Sequence, residues 1–294
     1  MKIGVVGVFG NSPARDVGFI KDFSQCMESK GFDSLWVPEH VVFFDVGEYE
    51  SKYPYTKDGA PPFADGAALY DPLFIIAIAS EYTSRLRFGT SVLVLPQRPA
   101  LLTAKEVMTL DHLTKGRFDF GVGAGWSEEE YSALGVSFER RGKRFNEYIE
   151  AIRVAWTQDR ASYDGEFISF KNVVLLPKPY TPGGPPFLIG GDSKAALHRA
   201  ARMGDGWYGW WANYNLEEQL EKLTGYLERY DRVDDPKFMR KVGLYALDDY
   251  DKISSGVEEA KRLGIQEIVL SAKVASRSFE ADLDKLAQAA GVSA

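Results

Sequence analysis

Residues 86–126, LRFGTSVLVLPQRPALLTAKEVMTLDHLTKGRFDFGVGAGW, contain a complete strand–helix–strand unit. Apolar, β-rich runs at Leu86–Val94 and Arg117–Val122 flank a segment with helical periodicity. Two strands that are joined through a helix run parallel in one sheet. This stretch therefore predicts a fold assembled from β/α units.

The same alternation runs from end to end, and no linker divides it. Eight strands are predicted: Ile3–Phe9, Ser34–Val37, Leu86–Val94, Arg117–Val122, Phe187–Ile189, Gly206–Tyr208, Lys241–Ala246 and Glu267–Leu270. Between them lie helices such as Phe145–Trp156, whose apolar residues recur on one face. An open sheet of this width would leave two long edges unprotected, so we predict a closed (β/α)8 TIM barrel in a single domain, 1–294.

Two segments exceed a minimal barrel and are predicted to be insertions, around 41–70 and 160–184. The first carries six aromatic residues between Phe43 and Phe63, which makes it a candidate pocket wall or lid. The second alternates like a β-hairpin. Insertions in a barrel usually follow the carboxyl ends of strands, where active sites form.

Composition excludes several classes of protein. The 294 residues have a formal net charge of −7 and no basic run, which argues against a nucleic-acid partner. The single cysteine, Cys26, excludes an intrachain disulfide and a cysteine-based zinc site. No apolar stretch approaches a membrane span or a secretory leader, so we expect a cytoplasmic protein without a membrane partner.

The loop GVGAGW, Gly121–Trp126, raises the question of a dinucleotide-binding turn. The fingerprint G-x-G-x-x-G places its third glycine where this chain has Trp126. An indole ring prevents the close helix–strand contact that the third glycine permits. We therefore interpret the loop as a ligand site of a different kind.

Four segments together resemble the bacterial luciferase-like superfamily of flavin-dependent barrels: GFDSLWVPEH, LRFGTSVLVLPQRPALLTAKEVMTLDHLTKGRFDFGVGAGW, RGKRFNEYIEAIRVAW and PPFLIGGDSKAALHRAARMGDGW. The similarity runs from Met1 to about Trp211, and the chain most resembles the branch that uses the deazaflavin F420. That resemblance implies a barrel mouth that binds F420 or, alternatively, FMN.

The resemblance also implies roles for individual residues. His40 matches the family's active-site histidine and would handle the proton that accompanies hydride transfer. Ser91 and Val92 match a pair that often forms a cis peptide bond behind the cofactor ring. The other residues implied in cofactor binding are Glu39, Ala124, Gly125, Ile189, Gly190, Gly191 and Trp210. The glycine pair precedes a helix that is predicted to start near Asp192 and Ser193, where backbone amides would hold the cofactor phosphate.

One position departs from relatives that oxidise sugar phosphates. They carry an acidic residue after this loop, whereas this chain has Trp126, and Glu128–Glu130 are predicted to form the exposed first turn of a helix. With Phe44 and Trp211, Trp126 would line an apolar or aromatic substrate pocket.

The leading hypothesis is an oxidoreductase that transfers a hydride between F420 and a small organic molecule. An FMN-dependent monooxygenase and a non-catalytic flavin-binding barrel remain open. A metal-dependent hydrolase would need several metal ligands at the strand ends. The predicted strand ends provide only Glu39 and His40 as candidates, so no metal is expected. By resemblance, we expect a homodimer.

Overall fold

The computed structural model describes residues 1–10, 16–63, 67–212 and 215–293. Its strands are β1 Lys2–Val6, β2 Ser34–Val37, β3 Arg87–Thr90, β4 Leu93–Val94, β5 Phe118–Gly123, β6 Ala161–Asp164, β7 Ser169–Val173, β8 Phe187–Gly190, β9 Gly206–Trp211, β10 Met239–Leu247 and β11 Glu267–Ala272. The strand order β3-β2-β1-β11-β10-β9-β8-β5 closes on itself, because β5 also pairs with β3. All of these pairings are parallel. The predicted (β/α)8 barrel is confirmed, with β3 and β4 as successive parts of one of its eight strands.

The helices surround this barrel: α1 Val17–Ser29, α2 Pro72–Glu81, α3 Ala100–Leu113, α4 Glu128–Ala133, α5 Arg141–Thr157, α6 Lys194–Met203, α7 Leu216–Glu228, α8 Tyr250–Arg262 and α9 Phe279–Ala290. The periodicity of α5 is confirmed, since Phe145, Ile149, Ile152 and Trp156 are all buried. Within the described ranges, no helix is long and apolar enough to cross a bilayer.

The third predicted strand, Leu86–Val94, is interrupted in the structure. The peptide bond between Ser91 and Val92 is cis, and it separates β3 from β4. The uninterrupted alternation of the sequence gives no sign of this break. Val92, which follows the bond, lies against neighbouring strands, as described below.

The two insertions differ in structure. In the second one, β6 and β7 form an antiparallel hairpin, with Tyr163 opposite Phe170, as predicted. The first one contains a short 3-10 turn at Val46–Glu48, and Ala64–Gly66 within it lie outside the described residues.

A charged layer fills part of the barrel interior. Lys241 Nζ lies 2.8 Å from Asp119 Oδ2 and 2.7 Å from Glu267 Oε2, and all three side chains are buried. Arg87 Nη2 lies 2.7 Å from Asp119 Oδ1. Burial disfavours the charged form of Lys241, but the two carboxylates outweigh it and raise the pKa of the ammonium group. The barrel therefore encloses a compensated ion cluster.

Trp36 connects this layer to the cis peptide. Its Nε1 donates to Glu267 Oε1 at 3.0 Å, and its ring stacks on Tyr208 with centroids 4.7 Å apart. The Tyr208 hydroxyl is 2.8 Å from the Ser91 hydroxyl. The position of Ser91 is thus fixed from inside the barrel.

Candidate active site

His40 follows β2 at the carboxyl end of the barrel and is held by a carboxylate. Its Nδ1 lies 3.0 Å from Glu130 Oε2, a residue in the first turn of α4. The Glu130 side chain is 3% exposed and that of His40 is 14% exposed, so water competes little for the contact. The sequence predicted an exposed turn at Glu130, and that prediction is wrong. The residue is buried and is the partner of the predicted catalytic histidine.

The contact with Glu130 indicates which nitrogen of His40 carries the hydrogen. An ionised carboxylate only accepts hydrogen bonds, so Nδ1 carries a hydrogen and donates it to Glu130. In the neutral ring, Nε2 then has a free lone pair and can take up a proton. The geometry suits a group that accepts and returns a proton at Nε2.

Glu130 also orders the start of the first insertion. Its Oε1 accepts a hydrogen bond from the amide of Val41 at 2.6 Å and a longer one from Val42 at 3.4 Å. The same carboxylate thus holds both the ring of His40 and the backbone of the residues that follow it.

Glu129 holds the insertion at a second place, farther along. Its Oε1 accepts from the amides of Glu50 and Ser51, at 2.7 and 2.8 Å, and its Oε2 accepts from Ser127 Oγ at 2.9 Å. Burial opposes ionisation of Glu129, but these hydrogen bonds outweigh it and lower its pKa to about 2. Of the three glutamates, only Glu128 is exposed as predicted.

An arc of aromatic rings spans the mouth from His40 to β9. The centroid of Trp126 lies 5.9 Å from that of His40 and 5.3 Å from that of Tyr53. Tyr53 is 5.4 Å from Tyr55, which is 6.5 Å from Trp210. The insertion therefore supplies the middle of the arc, and the predicted residues Trp126 and Trp210 form its two sides.

Phe44 lies at the edge of this arc. Its ring is 5.6 Å from Tyr49, whose ring is 5.3 Å from Trp126. Phe43 and Phe63 lie 5.0 and 5.4 Å from His40. Aromatic rings therefore lie on several sides of His40, next to its contact with Glu130.

Val92, after the cis bond, lies over two glycines in neighbouring strands. A Cβ atom on Gly123 would be 2.7 Å from a Val92 methyl group, and one on Gly190 would be 2.8 Å from the other. Any larger residue at either glycine would displace Val92. Glycine at both positions therefore leaves the space that the Val92 side chain occupies.

The loop after β5 is braced from α4 and α5. The Tyr131 hydroxyl donates to the carbonyl of Ala124 at 2.7 Å, and Arg141 Nε donates to that of Gly125 at 3.3 Å. Gly125 has a φ of +69°, in the left-handed region that glycine adopts without strain. This geometry directs Trp126 back across the mouth.

The glycine pair after β8 leads into α6, which begins near the predicted residues. Ser193 is the N-cap and accepts from the amide of Ala196, whereas the Asp192 carboxylate lies 3.4 Å from the amide of Trp210. Gly191 has a φ of +111°, and a Cβ atom there would lie 3.8 Å from the Tyr55 hydroxyl. The start of α6 therefore faces the insertion.

Three predicted site residues do not present their side chains to the mouth. Glu39 is buried in the wall, where it accepts from the Val94 amide at 2.6 Å and pairs with Arg98. Ile189 is fully buried in the core. Trp211 packs toward α8, with its ring 3.6 Å from the Cβ position of Gly256. Neighbouring strand residues point to opposite faces, so Trp210 and Trp211 separate.

Replacing Glu130 with glutamine tests the role of the carboxylate. The amide keeps the shape but loses the charge, so we expect kcat to fall about 10-fold to 100-fold, while the KM for the cofactor changes less than 3-fold. Steady-state kinetics measure both. Glu130→Asp should recover part of kcat, and the exposed Glu128→Gln serves as the control with the same charge change. A kcat unchanged in Glu130→Gln contradicts the assignment.

Replacing Glu129 with alanine tests the attachment of the insertion. Two amides lose a charged acceptor, so their exchange with deuterium should accelerate about 10-fold or more. Hydrogen exchange with mass spectrometry over residues 44–56 measures this, and Glu128→Ala is the matched control. Because the pKa of Glu129 is lowered to about 2, the attachment should be complete above pH 4.5 and lost only as the pH falls toward 2. Unchanged exchange in Glu129→Ala would show that other contacts hold the segment.

Known proteins resemble this chain in sequence and in fold. A family-wide sequence profile described as luciferase-like monooxygenase matches residues 1–289. An uncharacterized protein of Mycobacterium tuberculosis is 32% identical over 259 residues, which cover 88% of this chain and 86% of that protein. An FMNH2-dependent dimethylsulfone monooxygenase of Pseudomonas fluorescens is 39% identical over 129 residues, 43% of this chain and 34% of the relative.

Among solved structures, an F420-dependent secondary alcohol dehydrogenase, in complex with an F420-acetone adduct, superposes with a TM-score of 0.77. The match covers 98% of both chains at 17% identity and shows that the fold is shared. In the described part of the chain, no three His, Cys, Asp or Glu side chains group together as metal ligands. With the profile matching almost the whole chain, the protein belongs to the luciferase-like monooxygenase family, whose members are oxidoreductases and monooxygenases.

Proposed function

We propose that this protein is an F420-dependent oxidoreductase that transfers a hydride from the reduced cofactor to an apolar or aromatic organic acceptor. The observation that supports it most strongly is the buried His40–Glu130 pair among the aromatic rings of the barrel mouth. The full-length similarity to the fold of an F420-dependent alcohol dehydrogenase favours this cofactor.

The mouth residues fit a flat heteroaromatic cofactor. Trp126 and Trp210 offer apolar ring surfaces, and the Ser91–Val92 bulge provides a wall behind the ring. The start of α6 after Gly190 and Gly191 offers backbone amides and a helix dipole to a phosphate group. When bound, F420 would supply the hydride from its C5 position.

His40 then has a defined task. Reduction of a carbonyl or similar acceptor adds two electrons as hydride and one proton, and Nε2 of a protonated His40 can donate that proton. Glu130 keeps Nδ1 occupied, which would leave Nε2 as the atom that exchanges the proton. The surrounding rings exclude water and would keep the acceptor oriented.

An anaerobic turnover assay tests the proposal. The protein is supplied with reduced F420 and a panel of aromatic ketones, aldehydes and quinones. We expect acceptor-dependent reoxidation of F420 without oxygen. Turnover that occurs only with reduced FMN and consumes oxygen would contradict the proposal.

That second outcome defines an alternative, an FMN-dependent monooxygenase. The similarity to the FMNH2-dependent dimethylsulfone monooxygenase favours it, although that match spans about a third of the relative's length. The same aromatic mouth suits a flavin ring, and His40 would again handle protons. Oxygen uptake distinguishes the two functions.

We also propose that the protein forms a homodimer through α2 and α3. Helix α2 is apolar on nearly all sides, yet Phe74 is 73% exposed, and Leu102 at the start of the neighbouring α3 is 54% exposed. Large apolar residues exposed on adjacent helices are typical of an interface. Light scattering should give twice the chain mass of 32.8 kDa for the wild type and the single mass for Phe74→Glu with Leu102→Glu. A monomeric wild type would contradict the proposal.

A further inference from the structure

A basic cavity lies between the start of α5 and the length of α6, outside the residues assigned to the barrel mouth. Its volume is about 400 Å³, and we call it the α5–α6 pocket. The basic residues that line it are Arg140, Lys143, His198, Arg199 and Arg202. The whole chain has a net charge of −7, so this group of basic residues has the opposite charge to the protein as a whole.

Carboxylates neutralise the pocket only in part. Arg140 pairs with Glu166, and Arg202 Nη2 approaches Glu150 Oε1 at 3.7 Å. Among the described residues, no carboxylate forms an ion pair with Lys143 or Arg199. Two positive charges therefore remain.

Arg199 is the buried member of the group, with 8% of its surface exposed. Its Nε donates to Asn146 Oδ1 at 2.5 Å, its Nη2 donates to the Gly142 carbonyl at 3.1 Å, and the guanidinium lies over Phe145. Both acceptors are neutral. Burial, followed by repulsion from Arg202, lowers the pKa of Arg199 to about 10.

This arrangement is that of a prepared anion site. A buried charge without a counter-ion is unfavourable, and an incoming anion offsets that cost. The three neutral contacts hold the guanidinium in one orientation, so little side-chain entropy is lost when an oxyanion binds. Exposed Lys143 adds a second cation at the entrance.

We propose that the α5–α6 pocket binds a doubly charged oxyanion, a phosphate group or a pair of carboxylates, through Arg199 and Lys143. The two sources of this chemistry are a free phosphate compound and the anionic side arm of a cofactor in the mouth. The second source rests on the proposed function. Helix α6 connects the two places, since it begins after Gly190 and Gly191 and carries Arg199.

A titration with inorganic phosphate tests the site. The protein contains no cofactor, the ionic strength is constant, and chloride is the reference anion. We expect calorimetry to detect phosphate binding, weakened about 10-fold or more in Lys143→Gln and in Arg199→Gln. Lys143 is exposed, so its variant should fold normally, and Lys222→Gln in α7 is the control with the same charge change. Phosphate binding no stronger than chloride, or equal binding by both pocket variants, would overturn the proposal.

A second titration identifies the source. If Lys143→Gln weakens the binding of F420, which has carboxylates on its side arm, but not that of FMN, the cofactor arm occupies the pocket. If the variant loses phosphate binding and keeps its affinity for both cofactors, a free phosphate compound is the ligand. The phosphate titration contains no cofactor, so its result stands even if F420 fails to bind and the proposed function is wrong.

Discussion

Replacement of His40 by alanine should lower kcat by about 100-fold to 10,000-fold, because a positioned proton donor contributes a factor of this size. The side chain contacts Glu130 and aromatic rings but forms no part of the charged barrel interior. We therefore expect the variant to fold and to bind the cofactor within a few-fold of the wild-type Kd. Steady-state turnover and cofactor titration of the same preparation measure both effects.

His112 provides the matched control for this experiment. It lies in α3 on the outside of the barrel, with Nε2 2.7 Å from the carbonyl of Lys178. His112→Ala should retain wild-type kcat. If His40→Ala also retained kcat, the proposed proton transfer would be wrong. A wild type that binds cofactor tightly and turns over no acceptor would favour the non-catalytic barrel.

Replacement of Lys241 by methionine should destabilise the protein by about 3–5 kcal/mol, because removing one partner leaves buried charges uncompensated. Asp119 keeps Arg87, whereas Glu267 keeps hydrogen bonds from Ser34 and Trp36 but, among the described residues, no cation in an ion pair. Urea unfolding monitored by circular dichroism measures the change. The double variant Lys241→Met with Glu267→Gln should recover part of the loss, since it removes the orphaned charge.

The pH dependence of this cluster has a definite sign. The pKa of Lys241 in the folded protein is raised above its ordinary value of 10.5, so its stabilisation is complete below pH 10.5 and is lost as the pH rises through the folded pKa. The difference in unfolding free energy between wild type and Lys241→Met should thus be constant near neutral pH and shrink at strongly alkaline pH. A loss below about 1 kcal/mol at pH 7 would contradict the role given to the cluster.

The barrel was predictable from the sequence because each β/α unit has its own periodic signal. The eight predicted strands match the barrel strands, and the hairpin was placed correctly from alternation alone. The break within Leu86–Val94 was predicted only through family resemblance. A cis bond depends on packing around it, here on Tyr208 and on glycines in neighbouring strands.

The site was predictable in part. His40 and Trp126 come together as expected, although 86 residues separate them in the chain. Glu130 was missed because it follows two other glutamates in the first turn of α4, and nothing local distinguishes the three. Ser127 and Glu130 even have the spacing of a capping box, a sufficient local explanation for this glutamate. Only the tertiary contact reveals its partner.

Trp210 and Trp211 show a different limit. Because the predicted strand ended at Tyr208, both were assigned to the mouth beyond it. In the structure β9 extends to Trp211, and the alternation of a strand sends one ring inward and the other toward α8. Glu39 was assigned to the cofactor through the family resemblance and its place at the end of a strand, whereas its carboxylate pairs with Arg98 in the wall. Residues that are neighbours in a strand or at its end therefore need not point their side chains in the same direction.

The choice of cofactor can be measured by anaerobic titration of the purified protein with F420 and with FMN, followed by fluorescence. We expect saturable binding of F420 with a micromolar Kd and weaker binding of FMN, with F420 binding preserved in His40→Ala. Micromolar binding of FMN with no binding of F420 would contradict this expectation.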